Sequence, residues 1–206
     1  MLQDVILARI LIAKPVSTFA ECAPWRPFHL CPCPVYDPAM RIYAASPFGF
    51  SEAGRLFYDE RLLPALGRAG HVVVDPWKLT DQSKIDAVLA MPYGEARRDA
   101  WRRLNAEIGA NNRDGIDGCD GVVAVLDGVD VDSGTAAEIG YAFAKGKLIV
   151  GYRGDFRLAA DNEGSIVNLQ VEYFIRASGG TIVGSLDELC SIVAKTAIFA
   201  PAIDRR

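Results

Sequence analysis

Residues 132–142 have the sequence DSGTAAEIGYA and follow a short apolar run, GVVAVL, at residues 121–126. An unbroken apolar run of this length predicts a buried strand. Asp132 and Ser133 are favourable helix N-cap residues, and Gly146 is typical of the position after a helix end, so we predict a helix over residues 133–145. The chain therefore passes here from a buried strand into a helix, which is the repeating unit of an α/β fold.

The same alternation of strand and helix extends through the chain from residue 41. We predict strands at residues 41–45, 71–74, 121–126, 148–152 and 180–183. We predict helices at residues 51–66, 84–91, 95–108, 133–145, 165–175 and from residue 185 onward, with Leu56, Phe57, Leu62, Leu63 and Leu66 on the inward side of the first. This order predicts a doubly wound, five-stranded parallel sheet with helices on both faces, and it favours the flavodoxin-like strand order.

Residues 1–39 differ from the rest because they hold six of the eleven prolines and three of the five cysteines. Proline removes backbone donors and breaks periodicity, so this segment is predicted to be an irregular arm. A second interpretation stays open, in which Met40 is the true start and the preceding residues are not native coding sequence. In either case residues 40–200 are predicted to form one folded domain, and residues 201–206 a frayed tail.

Composition excludes several classes of function. A net charge of −4 leaves no basic surface for nucleic acid, and no apolar run reaches the ~18 residues that span a membrane. An odd number of cysteines argues against a disulfide framework and favours a reducing, cytoplasmic location. Cys22, His29, Cys31 and Cys33 do not have the spacing of common zinc sites, so we predict no metal.

Common catalytic and cofactor motifs are missing from the sequence. Its two histidines form no Ser-His-Asp constellation, and it contains neither a phosphate-binding P-loop nor a G-x-G-x-x-G fingerprint, so we predict no cofactor. Four acidic residues remain near the predicted carboxyl edge of the sheet, where ligands bind in such folds. They are Asp127, Asp130, Asp132 and Glu138. Clustered carboxylates of this kind suit metal binding, phosphoryl transfer or glycosyl chemistry.

Residues 132–142 also carry a resemblance to a known family. Together with Ile42 and Tyr43 on the first strand, residues 151–157 and residues 167–169, they resemble the nucleoside 2-deoxyribosyltransferases. The resemblance covers about residues 41–196. It implies an enzyme that moves the 2-deoxyribosyl group of a 2′-deoxyribonucleoside to a free nucleobase in nucleotide salvage. It also implies a homo-oligomer with shared active sites.

The resemblance assigns a role to each matching residue. Glu138 matches the nucleophile that attacks the anomeric carbon, and Tyr43 matches the tyrosine that orients it by a hydrogen bond. Asp132 matches the acid that binds the sugar hydroxyl. Asn168 matches an asparagine that reaches the sugar from a neighbouring subunit. Asn112 falls where the family has Asp or Asn near the base.

Other candidate site residues follow from chemistry around these positions. The departing base needs a proton, which an asparagine at position 112 cannot supply. The nearby Asp114 is therefore a candidate for the proton donor. Ser133 and Gly134 are small enough to let a ligand approach the start of the helix. Phe48 and Phe50 are candidates for stacking on the base.

The chemistry of N-glycosidic bond cleavage also assigns a role to a carboxylate, independently of the resemblance. Cleavage of an N-glycosidic bond passes through a cationic sugar, which a carboxylate beside C1′ stabilises and traps. Two alternatives stay open: a hydrolase of deoxynucleoside 5′-monophosphates from the same superfamily, and a non-catalytic nucleoside-sensing domain. Asp132 would repel a phosphate dianion, which favours free nucleosides. The preference between purines and pyrimidines is not predicted.

Overall fold

The computed structural model describes residues 39–199, with side chains through residue 195. The predictions for the arm, apart from Ala39, and for the tail concern residues outside this range. Among the described residues, no helix combines the length and the hydropathy needed to cross a bilayer.

Five strands and seven helices alternate along the described chain. The strands are β1 Arg41–Ala45, β2 Val72–Val74, β3 Gly121–Val125, β4 Leu148–Tyr152 and β5 Ile182–Val183. The helices are α1 Glu52–Phe57, α2 Leu63–Arg68, α3 Gln82–Leu89, α4 Glu95–Asp117, α5 Ser133–Ala144, α6 Leu169–Ala177 and α7 Leu186–Phe199. A π-helical segment, Tyr58–Leu62, joins α1 to α2, and 3-10 turns follow β1 and β2 at Pro47–Phe50 and Pro76–Lys78.

All neighbouring strands are parallel, and their order is β2-β1-β3-β4-β5. This is the flavodoxin-like order, and the predicted fold class is confirmed. The order changes direction between β1 and β3, because the chain first adds β2 on one side of β1 and then continues on the other. The crevice outside the carboxyl ends of these two strands is where such sheets bind ligands.

The sheet separates two apolar cores, and the alternation of side chains along each strand decides which residues enter each core. Ile42 and Ala44 of β1 face one core, which they share with α2 and α7. Tyr43 and Ala45 face the other core, together with residues of α4, α5 and α6. The Tyr43 ring therefore points toward the two helices that carry Asn112 and Glu138.

α4 is longer than the sequence predicts, because it continues from residue 108 to Asp117. Gly109 and the two asparagines at 111 and 112 are poor helix formers, which is why the prediction stops early. Burial of Ile116 in the core beneath the sheet outweighs those propensities. The sequence left open whether Asn112 lies late in this helix or just beyond it, and the structure places it in the helix interior.

Two further predictions are wrong in detail. Leu56 is predicted to face inward but is 59% exposed, whereas Tyr58 and Leu62 are buried. The π-helical segment that follows adds an extra residue to the turn, which shifts the inward side relative to an ideal helix. α6 begins at Leu169 rather than at residue 165, because the side chain of Asn168 caps it there.

Candidate active site

A carboxylate and a tyrosine meet at the carboxyl edge of the sheet. The Tyr43 hydroxyl, at the end of a fully buried side chain, donates a 2.6 Å hydrogen bond to Oε1 of the partly buried Glu138. Bonds of this length to a charged acceptor are the strong class of hydrogen bond. β1 supplies the tyrosine and α5 supplies the glutamate, so the contact joins residues 95 positions apart in the chain.

Asn112 of α4 completes the surroundings of this carboxylate. Its Nδ2 donates to the same oxygen, Glu138 Oε1, at 3.4 Å. The carbonyl oxygen of Asn112 is buried and has no hydrogen-bond partner among the described residues. Both donors therefore act on Oε1, and no described residue donates a hydrogen bond to Oε2 of Glu138. Oε2 is thus the oxygen left for a ligand.

Burial controls the ionisation of this group. Removal from water raises the pKa of Glu138, the hydrogen bond from Tyr43 opposes that rise, and the negative charge of Asp132 adds to it. Burial also raises the pKa of Tyr43, and the neighbouring Glu138 charge raises it further. The tyrosine consequently stays protonated and remains a donor, while its surroundings disfavour the charged form of Glu138.

This arrangement predicts a stability change when the charge at position 138 is removed. Because the pKa of Glu138 is raised on folding, the unfolded chain loses this proton at lower pH than the folded chain does. The free energy of unfolding therefore falls as pH rises through that window. We expect Glu138→Gln to increase the melting temperature at pH 7 but to change it little at pH 4, as measured by calorimetry. An equal effect at both pH values would contradict this assignment of the cost to the charge.

Asp132 is the N-cap of α5, and the cap positions it. Its Oδ2 accepts from the Thr135 backbone N–H at 3.0 Å and from the Thr135 hydroxyl at 3.5 Å. Oδ1 accepts no hydrogen bond from a described residue, so it is available to a ligand hydroxyl. Ser133 and Gly134 follow in the exposed first turn. A Cβ at position 134 would lie 3.1 Å from Asp132 Oδ2, so glycine leaves this cap uncrowded.

The other two acidic candidates bind backbone groups. Asp127 accepts from the Asp155 N–H at 3.0 Å, and Asp130 accepts from the N–H of the next residue, Val131, at 2.7 Å. Asp155 in turn accepts from the Gly128 N–H at 3.2 Å and pairs with Arg157. The contacts of Asp127 and Asp155 join the loops after β3 and β4, whereas the contact of Asp130 stays within its own loop. Asp132 is the only one of these acids whose charge acts on Glu138, so Asp132 and Glu138 remain as site candidates.

The structure does not bring Asp114 to Glu138. Asp114 is paired with Arg113 at 2.7 Å, and its side chain is 64% exposed. Two residues along a helix turn the side chain by about 200°, so Asn112 and Asp114 cannot both face the same carboxylate. Asn168 also makes no described contact with Glu138, because its Oδ1 accepts from the backbone N–H groups of Gln170 and Val171.

The aromatic residues after β1 have different surroundings from each other. Phe48 is partly buried, packs on the core of α2 and α7, and meets Phe57 edge to face at 5.6 Å. Phe50 is 77% exposed and lies edge-on to Trp77 at 4.8 Å. No motif in the sequence marks Trp77 as a site residue, but its place directly after β2 puts it at the ligand-binding edge of the sheet.

Trp77 holds the turn after β1 in place. Its indole N–H donates to the Ser46 carbonyl at 3.2 Å, and its ring covers Gly49 so closely that a Cβ there would lie 2.1 Å from a ring atom. The adjoining segment is tied to α4, since Asn111 donates to the Thr80 hydroxyl at 2.9 Å. These contacts tie the turns after β1 and β2 to each other and to α4. No group of His, Cys, Asp and Glu among the described residues could hold a metal ion.

Fold and site together define an α/β protein with a tyrosine-bound carboxylate at the switch point of a flavodoxin-like sheet. The chain belongs to the nucleoside 2-deoxyribosyltransferase family, whose family model matches residues 42–170. This establishes the family that residues 132–142 resemble, and it places the chain among enzymes that transfer or hydrolyse glycosyl groups. No curated protein sequence matches the chain.

Solved structures share the fold at low sequence identity. A conserved protein from Enterococcus faecalis V583 is 23% identical, with a TM-score of 0.53 over 77% of this chain and 99% of that one. A 2-deoxyribosyltransferase from Bacillus psychrosaccharolyticus is also 23% identical, with a TM-score of 0.51 over 76% and 95%. A 2-deoxyribosyltransferase from Leishmania mexicana is 23% identical, with a TM-score of 0.50 over 78% and 98%. At this identity the likeness concerns the fold alone.

Proposed function

We propose that this protein is a nucleoside 2-deoxyribosyltransferase that moves a 2-deoxyribosyl group between nucleobases through a covalent intermediate on Glu138. The observation that carries the proposal is the 2.6 Å bond from Tyr43 to Glu138 Oε1, with Oε2 left without a described donor. A partly buried carboxylate with one oxygen held and one free suits attack on an electron-poor carbon.

The reaction has two displacement steps. Oε2 of Glu138 forms a bond to C1′ while the C1′–N bond breaks, and the departing base takes the electron pair and then a proton. The nitrogen of a second base next attacks C1′, loses its proton, and releases the carboxylate. Each step inverts the anomeric carbon, so the product retains the original configuration. Glu138 ends in its starting state, and no metal or redox group enters the balance.

Asp132 supports a free nucleoside as the substrate. Its unoccupied Oδ1 accepts a hydroxyl of the sugar, and we assign it the 5′-OH. A helix start is otherwise a favourable place for a phosphate, since its N–H groups point outward. The carboxylate at the start of α5 opposes that binding by charge repulsion, which disfavours a 5′-monophosphate. Ser133 and Gly134 leave room for the sugar beside this cap.

The other candidate residues are assigned to the sugar and to the base. We propose that Asn168 reaches the sugar of a neighbouring copy in a homo-oligomer, through the Nδ2 that the α6 cap does not use. We place the base near the turn after β1, where the rings of Phe48 and Trp77 lie. A 2′-deoxyribonucleoside and a free nucleobase are the two partners of the reaction.

Base exchange tests the proposal directly. The protein is incubated with deoxyinosine or thymidine plus free adenine, and the mixture is separated by chromatography. We expect a new peak of deoxyadenosine that depends on both substrates. Release of free base alone would replace transfer with hydrolysis, and the absence of any product would favour a non-catalytic nucleoside-binding role.

A further inference from the structure

Asn112 occupies a position that the fold alone does not explain. Asparagine is an unfavourable residue inside a helix, and here its carbonyl is buried without a partner among the described residues. A buried acceptor with no donor costs stability, whereas a leucine of similar size would avoid that cost. The reason for an amide at this position therefore lies in its other half, the Nδ2 that faces Glu138 at 3.4 Å.

The orientation of the amide is decided by its neighbour. If the two ends were exchanged, the carbonyl oxygen of Asn112 would face the carboxylate oxygen of Glu138, and both atoms are acceptors. Only the orientation with Nδ2 toward Oε1 avoids this repulsion. Asn112 and Tyr43 then donate to the same oxygen from two different elements, α4 and β1.

The surroundings of Glu138 disfavour its charged form, so a neutral hydrogen-bond donor stabilises that form. Asp132 acts on it from the start of α5 with a like charge, and no described cation lies close enough to contribute. Tyr43 from β1 is a neutral donor to Glu138. Burial raises the pKa of the more distant Tyr58 and the Glu138 charge raises it further, so that hydroxyl stays protonated as well. Burial and Asp132 thus favour the protonated carboxyl, and the hydrogen bond from Tyr43 opposes them.

We infer that Asn112 is a positioning residue that keeps Glu138 ionised and holds Oε1, so that Oε2 is the attacking oxygen. A carboxylate at position 112 would instead compete with Glu138 for a proton at short range. The role in turnover rests on the proposed function, but the coupling between the two side chains does not. A consequence for the reaction is that the side chain at 112 supplies no proton to the departing base.

The test is a titration of Glu138 in matched variants. Glutamate side chains are labelled with ¹³C at the carboxyl carbon, and the Glu138 signal is assigned by its loss in Glu138→Gln. In Asn112→Asp we expect the Glu138 midpoint to rise by about one pH unit or more. Asn105→Asp makes the same change at an exposed site seven residues earlier on α4, and it should leave the midpoint unchanged. An unmoved midpoint in folded Asn112→Asp would overturn the inference.

Circular dichroism shows whether Asn112→Asp folds. If it does not fold, a second variant tests the inference. Asn112→Leu removes the donor without adding charge, so it should raise the Glu138 midpoint by a smaller amount; a fall would overturn the inference. In the base-exchange assay, the acid limb of kcat should move to higher pH in the same order, whatever happens to the plateau rate. If wild type shows no turnover, the proposed function fails while the titration still decides the role of Asn112.

Discussion

Glu138→Ala is expected to reduce base exchange by at least about 10⁴-fold, because it removes the atom that bonds to C1′ in the proposed reaction. No other described carboxylate contacts this position, since Asp132 is held in the α5 cap and Asp114 is on the far side of α4. The measurement is the rate of deoxyadenosine formation from deoxyinosine and adenine. Loss at this level corresponds to several kcal/mol of transition-state stabilisation, the size expected for a covalent nucleophile.

Nucleoside binding provides the internal check on this variant. Asp132, to which we assign the sugar hydroxyl, is untouched in Glu138→Ala, so calorimetric titration with deoxyinosine should still detect binding. Glu60→Ala is the matched control, because Glu60 is an exposed glutamate on the π-helical segment with no described partner. It should exchange bases at the wild-type rate. Base exchange that persists in Glu138→Ala would eliminate the covalent mechanism.

Tyr43→Phe is expected to lower kcat by about 10- to 150-fold. The change deletes one hydroxyl from a fully buried ring and leaves the ring itself in place. Hydrogen bonds to charged groups contribute about 1.5–3 kcal/mol, which converts to that range of rates. Loss of this donor also makes Glu138 harder to ionise, so the acid limb of the pH–rate profile should move to higher pH. KM should change less than kcat, because the lost bond is to the enzyme and not to substrate.

Tyr141→Phe is the matched control for that variant. Tyr141 also donates to a carboxylate, Asp117, at 3.0 Å, but at an exposed site on the other end of α5. It should leave both kcat and the acid limb unchanged. If Tyr43→Phe kept the wild-type rate, or if the two variants lost activity equally, the contact between Tyr43 and Glu138 would have no special role in the reaction.

Local sequence patterns predict most of the elements because each pattern is satisfied within a few residues. The structure has three such features where the sequence predicts them: the apolar run of β3, the N-cap at Asp132 and the glycine after α5. Each depends only on residues close to it in the chain. The end of α4 was predicted too early because its stability depends on Ile116, whose burial is a tertiary effect. Propensity within the helix carries no information about that packing.

The sequence by itself determined the fold class, the family and the spacing of six residues that puts Asp132 at the start of a helix and Glu138 in its second turn. Local patterns could not determine what surrounds the carboxylate, since Tyr43, Asn112 and Glu138 come from three elements far apart in the chain. The pairing of Tyr43 with Glu138 was implied only by the family resemblance. Only the parallel sheet brings them together, because β1 lies beside β3 and points alternate residues at α4 and α5. The ionisation of Glu138 depends on burial and on neighbours at that meeting point, so only the tertiary structure decided it.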